Sequence, residues 1–144
     1  MIHEKLIVIV GKTMDTSEHI KYWIESAEYD LDSAFDIFKL GRFSWSLFIG
    51  HLALEKLLIA LFVKSNNNKV PPKIHNLRKL AVLSNLELSE EQTLFFDKIN
   101  VFQIEARYAE AKNELYKIAT KEFTETNLNE IKDHFLWIKS QTDL

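Results

Sequence analysis

Cysteine is absent from the 144 residues. That excludes disulfides, cysteine-ligated zinc and thiol chemistry, and it fits a reducing cytoplasm, the location we expect. Glycine and proline are scarce, at three and two residues, with both prolines together at Pro71 and Pro72. A chain built from many short strands needs more turn residues than this, so an all-α protein is expected. The longest apolar run near the N-terminus, Leu6 to Val10, is too short to span a bilayer, and no small-residue cleavage site follows it. We read it as a strand-like piece or a first turn within an N-terminal arm, residues 1–16, and expect no membrane association. The formal net charge is −3, so no global field draws nucleic acid to the chain.

Several chemical signatures are also missing. No two of the five histidines stand three or four residues apart, which excludes a helical metal-binding pair. Gly11, Gly41 and Gly50 stand alone, so there is no glycine-rich phosphate loop, and no Gly-x-Ser-x-Gly occurs. No cofactor is implied.

What remains is a globular composition, 47% apolar and 27% charged, of a length that suggests one domain with a sizeable core. Apolar residues recur at spacings of three and four. Trp23, Ala27, Leu31, Ala34, Phe35 and Phe38 mark a first helix from Ser17, its expected N-cap, to Leu40, ended by Gly41. A second helix, Phe43 to Lys64, is apolar on most sides and should be central. The polar stretch Ser65 to Lys69 is a loop. A short third helix is expected over Ile74–Leu83, with His75 capping or orienting it. Ser89 opens a fourth, followed by Glu90 and Glu91, carrying Leu94, Phe95, Ile99 and Phe102 inward as far as Arg107 and Tyr108. A fifth covers Thr124–Lys139, with Leu128, Ile131, Phe135 and Ile138 inward. The expected architecture is an antiparallel up-and-down bundle of four to five helices.

Charge is divided along the chain. Residues 17–37 carry six acids and one base, whereas residues 38–86 carry eight bases and one acid. Solvated helix faces account for this; the functional alternative is a basic face for phosphates, with the acidic helix matching a basic partner. Within the basic part, Lys73, His75, Arg78 and Lys79 form a candidate phosphate-contacting group. Glu55 and Lys56 interrupt an apolar helix, so each requires a partner or a path to solvent. His51 and Glu55 are four apart and share a helix face, which suits a mutual hydrogen bond. Trp23, Trp45 and Trp137 are read as core or interface residues.

Four segments resemble the HEPN family. The first helix contains Trp23-Ile24-Glu25-Ser26-Ala27-Glu28-Tyr29-Asp30-Leu31-Asp32-Ser33-Ala34, similar to the family's aromatic followed by Ala-x-x-Asp-Leu-x-x-Ala. Glu55-Lys56 and the aliphatic residues after it, His75-Asn76-Leu77, and Ala106-Arg107-Tyr108 resemble later family segments in the same order. The resemblance implies a helical bundle that pairs as a homodimer. It also implies RNA cleavage in toxin–antitoxin or defence systems, partnership with a minimal nucleotidyltransferase, or nucleotide binding without catalysis. Active ribonucleases of the family carry Arg, four to six residues, then His. Here Arg107 is followed after five residues by Asn113. Asparagine hydrogen-bonds a phosphate but cannot move a proton near neutral pH as histidine does. The reading is therefore a non-catalytic or degenerate HEPN protein without catalytic residues, binding a nucleotide or RNA through Arg107, Tyr108 and Asn113, with Lys73, His75, Arg78 and Lys79 as a second group. A metal-independent ribonuclease and a plain helical interaction module are the alternatives.

Overall fold

A computed structural model describes residues 14–143, apart from the side chains of residues 105–107 and 109–112. Most of the N-terminal arm, including Leu6 to Val10, lies outside the described residues. Six helices follow: α1 Thr16–Lys39, α2 Phe43–Ser65, α3 Leu77–Leu83, α4 Glu90–Arg107, α5 Ala109–Ile118 and α6 Lys121–Ser140. No strand occurs among the described residues.

The helix ends show how local chemistry sets the boundaries. Helix α1 begins one residue earlier than expected because Asp15, not Ser17, is its N-cap. The Asp15 carboxylate accepts from the Glu18 amide at 2.8 Å. Its far end closes as a Schellman motif: Gly41 stands at φ +77° and its amide donates to Phe38 O, while the Arg42 amide reaches Ile37 O. Helix α3 starts at Leu77 rather than Ile74. Asn76 caps it through the Lys79 amide, and the Leu77 amide donates to Asn100 Oδ1 at 2.9 Å. His75 therefore does not cap α3. Ser89 and Gln92 form a capping box at the start of α4. Thr120 caps α6, which starts at Lys121, three residues before the expected Thr124.

The sixth helix is α5. The sequence reading carried α4 through Tyr108 and assigned nothing to residues 109–118. In the structure Tyr108 is extended (φ −113°, ψ 128°), which ends α4 and begins α5 without a side-chain cap.

Helix α2 is the axis of the bundle. It is long and apolar enough to cross a membrane by length and composition, yet it is mostly buried by its neighbours, as a central helix must be. Leu47, Leu54, Leu57, Leu58 and Val63 are fully covered. The most extensive interface is α1 against α2; α6, α4 and α3 pack around the remaining faces. Leu128, Ile131, Phe135 and Ile138 of α6 point inward as expected. Leu94 of α4 does not: it is 63% exposed, and Phe96, fully buried, takes the inward position. Trp23 is core, whereas Trp45 is about half exposed.

The asparagine-rich turn after α2 is a brace. Asn66 Nδ2 donates to Phe62 O and Leu83 O, tying the end of α2 to the end of α3. Asn68 reaches back to α1, with Nδ2 on Met14 O and Oδ1 2.8 Å from His19 Nδ1. Asn67 and Asn68 have positive φ, a conformation asparagine tolerates better than other side chains with a Cβ. Both Ser65 and Ser84 hydroxyls donate to carbonyls across this end of the bundle.

Candidate functional site

A charge in the middle of an apolar helix must be matched, and α2 carries two. Lys56 Nζ lies 2.8 Å from Asp30 Oδ2 of α1 and donates to Ser26 Oγ at 2.9 Å. This pair joins the acidic first helix to the second across their shared interface. Glu55 faces the other way, toward the start of α3. His75 Nδ1 lies 2.8 Å from Glu55 Oε1, and since a carboxylate oxygen accepts, Nδ1 is the donor. The Glu55 side chain is 7% exposed and that of His75 is 40% exposed. His75 is thus an imidazole at the surface, oriented by a carboxylate from below, with Nε2 as its other ring nitrogen.

Glu55 thus has a longer-range partner beyond the His51 expected four residues away. His51 is buried one turn earlier on α2. The His75–Glu55 contact crosses twenty sequence positions, and only the α3 brace brings it about: Asn100 of α4 holds the Leu77 amide, fixing the backbone just after His75. Exposed Lys73, Arg78 and Lys79 flank His75 in sequence on the same short segment. Arg78 Nη1 is 3.4 Å from Asp97 Oδ2 at the surface, so part of its charge is answered within the chain.

The second candidate group falls at the α4–α5 junction. Arg107 is the last residue of α4, Tyr108 is the break and is 64% exposed, and Asn113 is an exposed residue of α5. Helix α3 runs from the Glu55 level to the far end of α2, and α4 returns antiparallel to α2. Stepping from Glu55 back to His51, or from Asn100 on to Arg107, therefore leads toward the same end of the bundle. Arg107 stands two turns beyond Asn100, about 10 Å along the axis. The structure brings Lys73, His75, Arg78 and Lys79 together on one short segment. It places Arg107, Tyr108 and Asn113 along a bent junction rather than on one continuous helix.

Sequence reasoning missed the partner of His75 and the role of Asn100. A polar residue at an otherwise apolar spacing in α4, between Ile99 and Phe102, is the signal that marks Asn100. Two other histidines have partners of their own: His134 Nδ1 donates to Glu130 O and its ring stacks on Phe95 at 3.6 Å, and His19 meets Asn68. Among the described residues no three histidine, aspartate or glutamate side chains converge as a metal site would require.

The fold and this arrangement define a class: an all-helical bundle whose central helix presents a buried glutamate to a surface histidine, with a basic segment around it. The HEPN domain family matches residues 20–141, and the chain belongs to that family. Membership ties it to nucleotide- or RNA-related function in general. No curated protein and no solved structure matches the chain.

Proposed function

We propose that this HEPN protein binds a nucleotide or RNA without cleaving it, through Arg107, Tyr108 and Asn113 together with Lys73, His75, Arg78 and Lys79. The observation that carries this reading is the α4–α5 junction. The residue at the end of the Arg-x5 spacing is Asn113, which holds no titratable proton, and Tyr108 bends the chain between it and Arg107. A guanidinium fork and an amide suit the holding of a phosphate. Calorimetric titration with nucleoside phosphates and a short RNA is the test. Arg107→Ala is expected to weaken binding about tenfold, roughly 1.4 kcal/mol. Equal affinity in the variant, or no binding by the parent protein, would refute the assignment.

The protein acts in this reading as a homodimer. Leu94, Val101 and Ile104 are all at least 41% exposed and recur at spacings of seven and three, an apolar stripe along α4 suited to a second copy. Static light scattering at micromolar concentration should give twice the monomer mass. A monomer mass, unchanged by Leu94→Glu, would remove the dimer. The exposed acids of α1, Glu18, Glu25, Asp32 and Asp36, suit a basic partner, and a minimal nucleotidyltransferase in a toxin–antitoxin or defence-type system is the partner we propose.

One observation favours a second reading, the ribonuclease. His75 is oriented by Glu55 in the manner of a general base and its orienting carboxylate. Cleavage of RNA by pure protein that disappears in both His75→Ala and Arg107→Ala would establish it. Cleavage that persists in either variant would be contamination.

A further inference from the structure

A cavity of about 540 Å³ lies apart from the α3 group and one turn along α5 from Asn113. It opens at the corner where the α1–α2 turn meets the α5–α6 turn and is lined by Arg42, Ser44, Trp45, Tyr116, Lys117 and Thr120, among others. Arg42 is about 20 Å from Glu55 along the axis of α2, at 1.5 Å per residue. The cavity is within the range of about 300–1,000 Å³ that small-molecule sites occupy.

The chemistry of its walls is selective. Among the described residues two cations line it and no carboxylate does. Lys117 meets Glu114 at 3.4 Å outside the lining, but both side chains are more than two-thirds exposed, so that pair is weak and readily exchanged for a stronger anion. Two aromatic rings also lie here in contact with solvent, Trp45 at 46% and Tyr116 at 76% exposure. Trp45 meets Phe48 edge-on, with the planes at 76°. Ser44 and Thr120 add hydroxyl groups. The Thr120 oxygen accepts from the Phe123 amide at 3.2 Å, which leaves its O–H as a donor. Paired cations suit a phosphate dianion, exposed ring faces suit a planar base, and hydroxyls suit a sugar.

We propose that this corner is a binding site for a nucleoside phosphate, either free or as one unit of a single-stranded RNA. Arg42 and Lys117 hold the phosphate, and Trp45 and Tyr116 form the walls against which the base lies. The site is separate from the α3 group and adjoins Asn113 through α5; none of its named residues belongs to either group, so it does not rest on the function proposed for them.

The test is a titration followed through backbone amide signals by NMR, using the full chain. Three probes are compared: adenosine 5′-monophosphate, inorganic phosphate and a five-nucleotide RNA. The monophosphate is expected to move the signals of residues 42–45 and 116–120. Phosphate alone is expected to bind at least tenfold more weakly, because the rings then have nothing to stack on. The double variant Arg42→Ala, Lys117→Ala should lose at least tenfold in affinity, and Tyr116→Ala about tenfold. These side chains are exposed, so the variants should keep the parent's signal pattern elsewhere. If the RNA moves the same amides, the strand is a source of the nucleotide; if only the monophosphate does, the ligand is the free nucleotide. Shifts confined to residues 73–79 and 107–113 would uphold the function proposed above and overturn this site. So would phosphate binding here as tightly as the monophosphate, or no shift at this corner with any probe.

Discussion

Replacing Asp30 with alanine should destabilise the protein by about 3 kcal/mol, the largest effect expected of any single charge removal. Asp30 and Lys56 are 2.8 Å apart with side chains only 13% and 12% exposed. The attraction of such a pair roughly offsets the cost of taking both charges out of water. Removing one member leaves the other uncompensated, and that loss is about 3–5 kcal/mol. Lys56 would retain only the neutral Ser26 hydroxyl. Its small residual exposure lets the ammonium lean toward water, which argues for the low end of the range. The double variant Asp30→Leu, Lys56→Met should recover most of the loss, since it leaves no buried charge. Urea unfolding of Asp30→Ala and of the double variant measures this. A loss under about 1 kcal/mol in Asp30→Ala would mean that the pair is solvated and contributes little.

Gly50→Leu is expected to cost about 2–3 kcal/mol by overpacking. At Gly50 α6 approaches α2 closely: a Cβ built there would lie 3.0 Å from Ile131 Cδ1 and 3.2 Å from Leu128 Cδ2. Both neighbours are side-chain ends, so a single methyl can be accommodated by small rotations. Gly50→Ala should accordingly be close to neutral, with the gain in helix propensity, about 1 kcal/mol, set against the tight fit. A leucine cannot be accommodated in the same way, because Ile131 and Leu128 are themselves fully buried and have nowhere to go. Thermal unfolding of the two variants separates the cases. A Gly50→Leu protein as stable as the parent would show that α6 shifts as a rigid body.

The boundaries legible in the sequence are those announced by a residue with one dominant local role. Gly41 after an amphipathic run and Ser89 before a pair of acids both stand where the helices end and begin. The inward face of α6 was legible because its spacing is regular. Helix α5 was not. Its apolar residues Ala111, Leu115 and Ile118 recur at spacings of four and three, but the helix is only ten residues long, and neither glycine nor proline marks the break at Tyr108. The start of α3 was displaced for a related reason: Ile74 continues an apolar spacing, but Asn76 captures the first turn. The site was legible by composition and not by geometry. Lys73, His75, Arg78 and Lys79 are close in sequence and lie on one short segment. The Glu55–His75 contact depends on how α3 is docked, and a neighbour four residues away, His51, offered the simpler reading. The two-cation, two-aromatic corner joins segments more than seventy residues apart, each unremarkable alone.

The turn between α1 and α2, closed by Gly41, bears on the order in which the protein assembles. Its three residues join the two helices that share the most extensive interface. Closing it costs about 2–3 kcal/mol less chain entropy than bringing α6 back to α2 across residues 66–120. The first two helices thus form a folding nucleus that is almost entirely local, and the transition state should already contain their packing. Helix α6 joins afterwards, filling the space above Gly50. Substitutions at Ala27, Leu54 or Leu57 should slow refolding, whereas substitutions at Ile131 or Ile138 should chiefly accelerate unfolding.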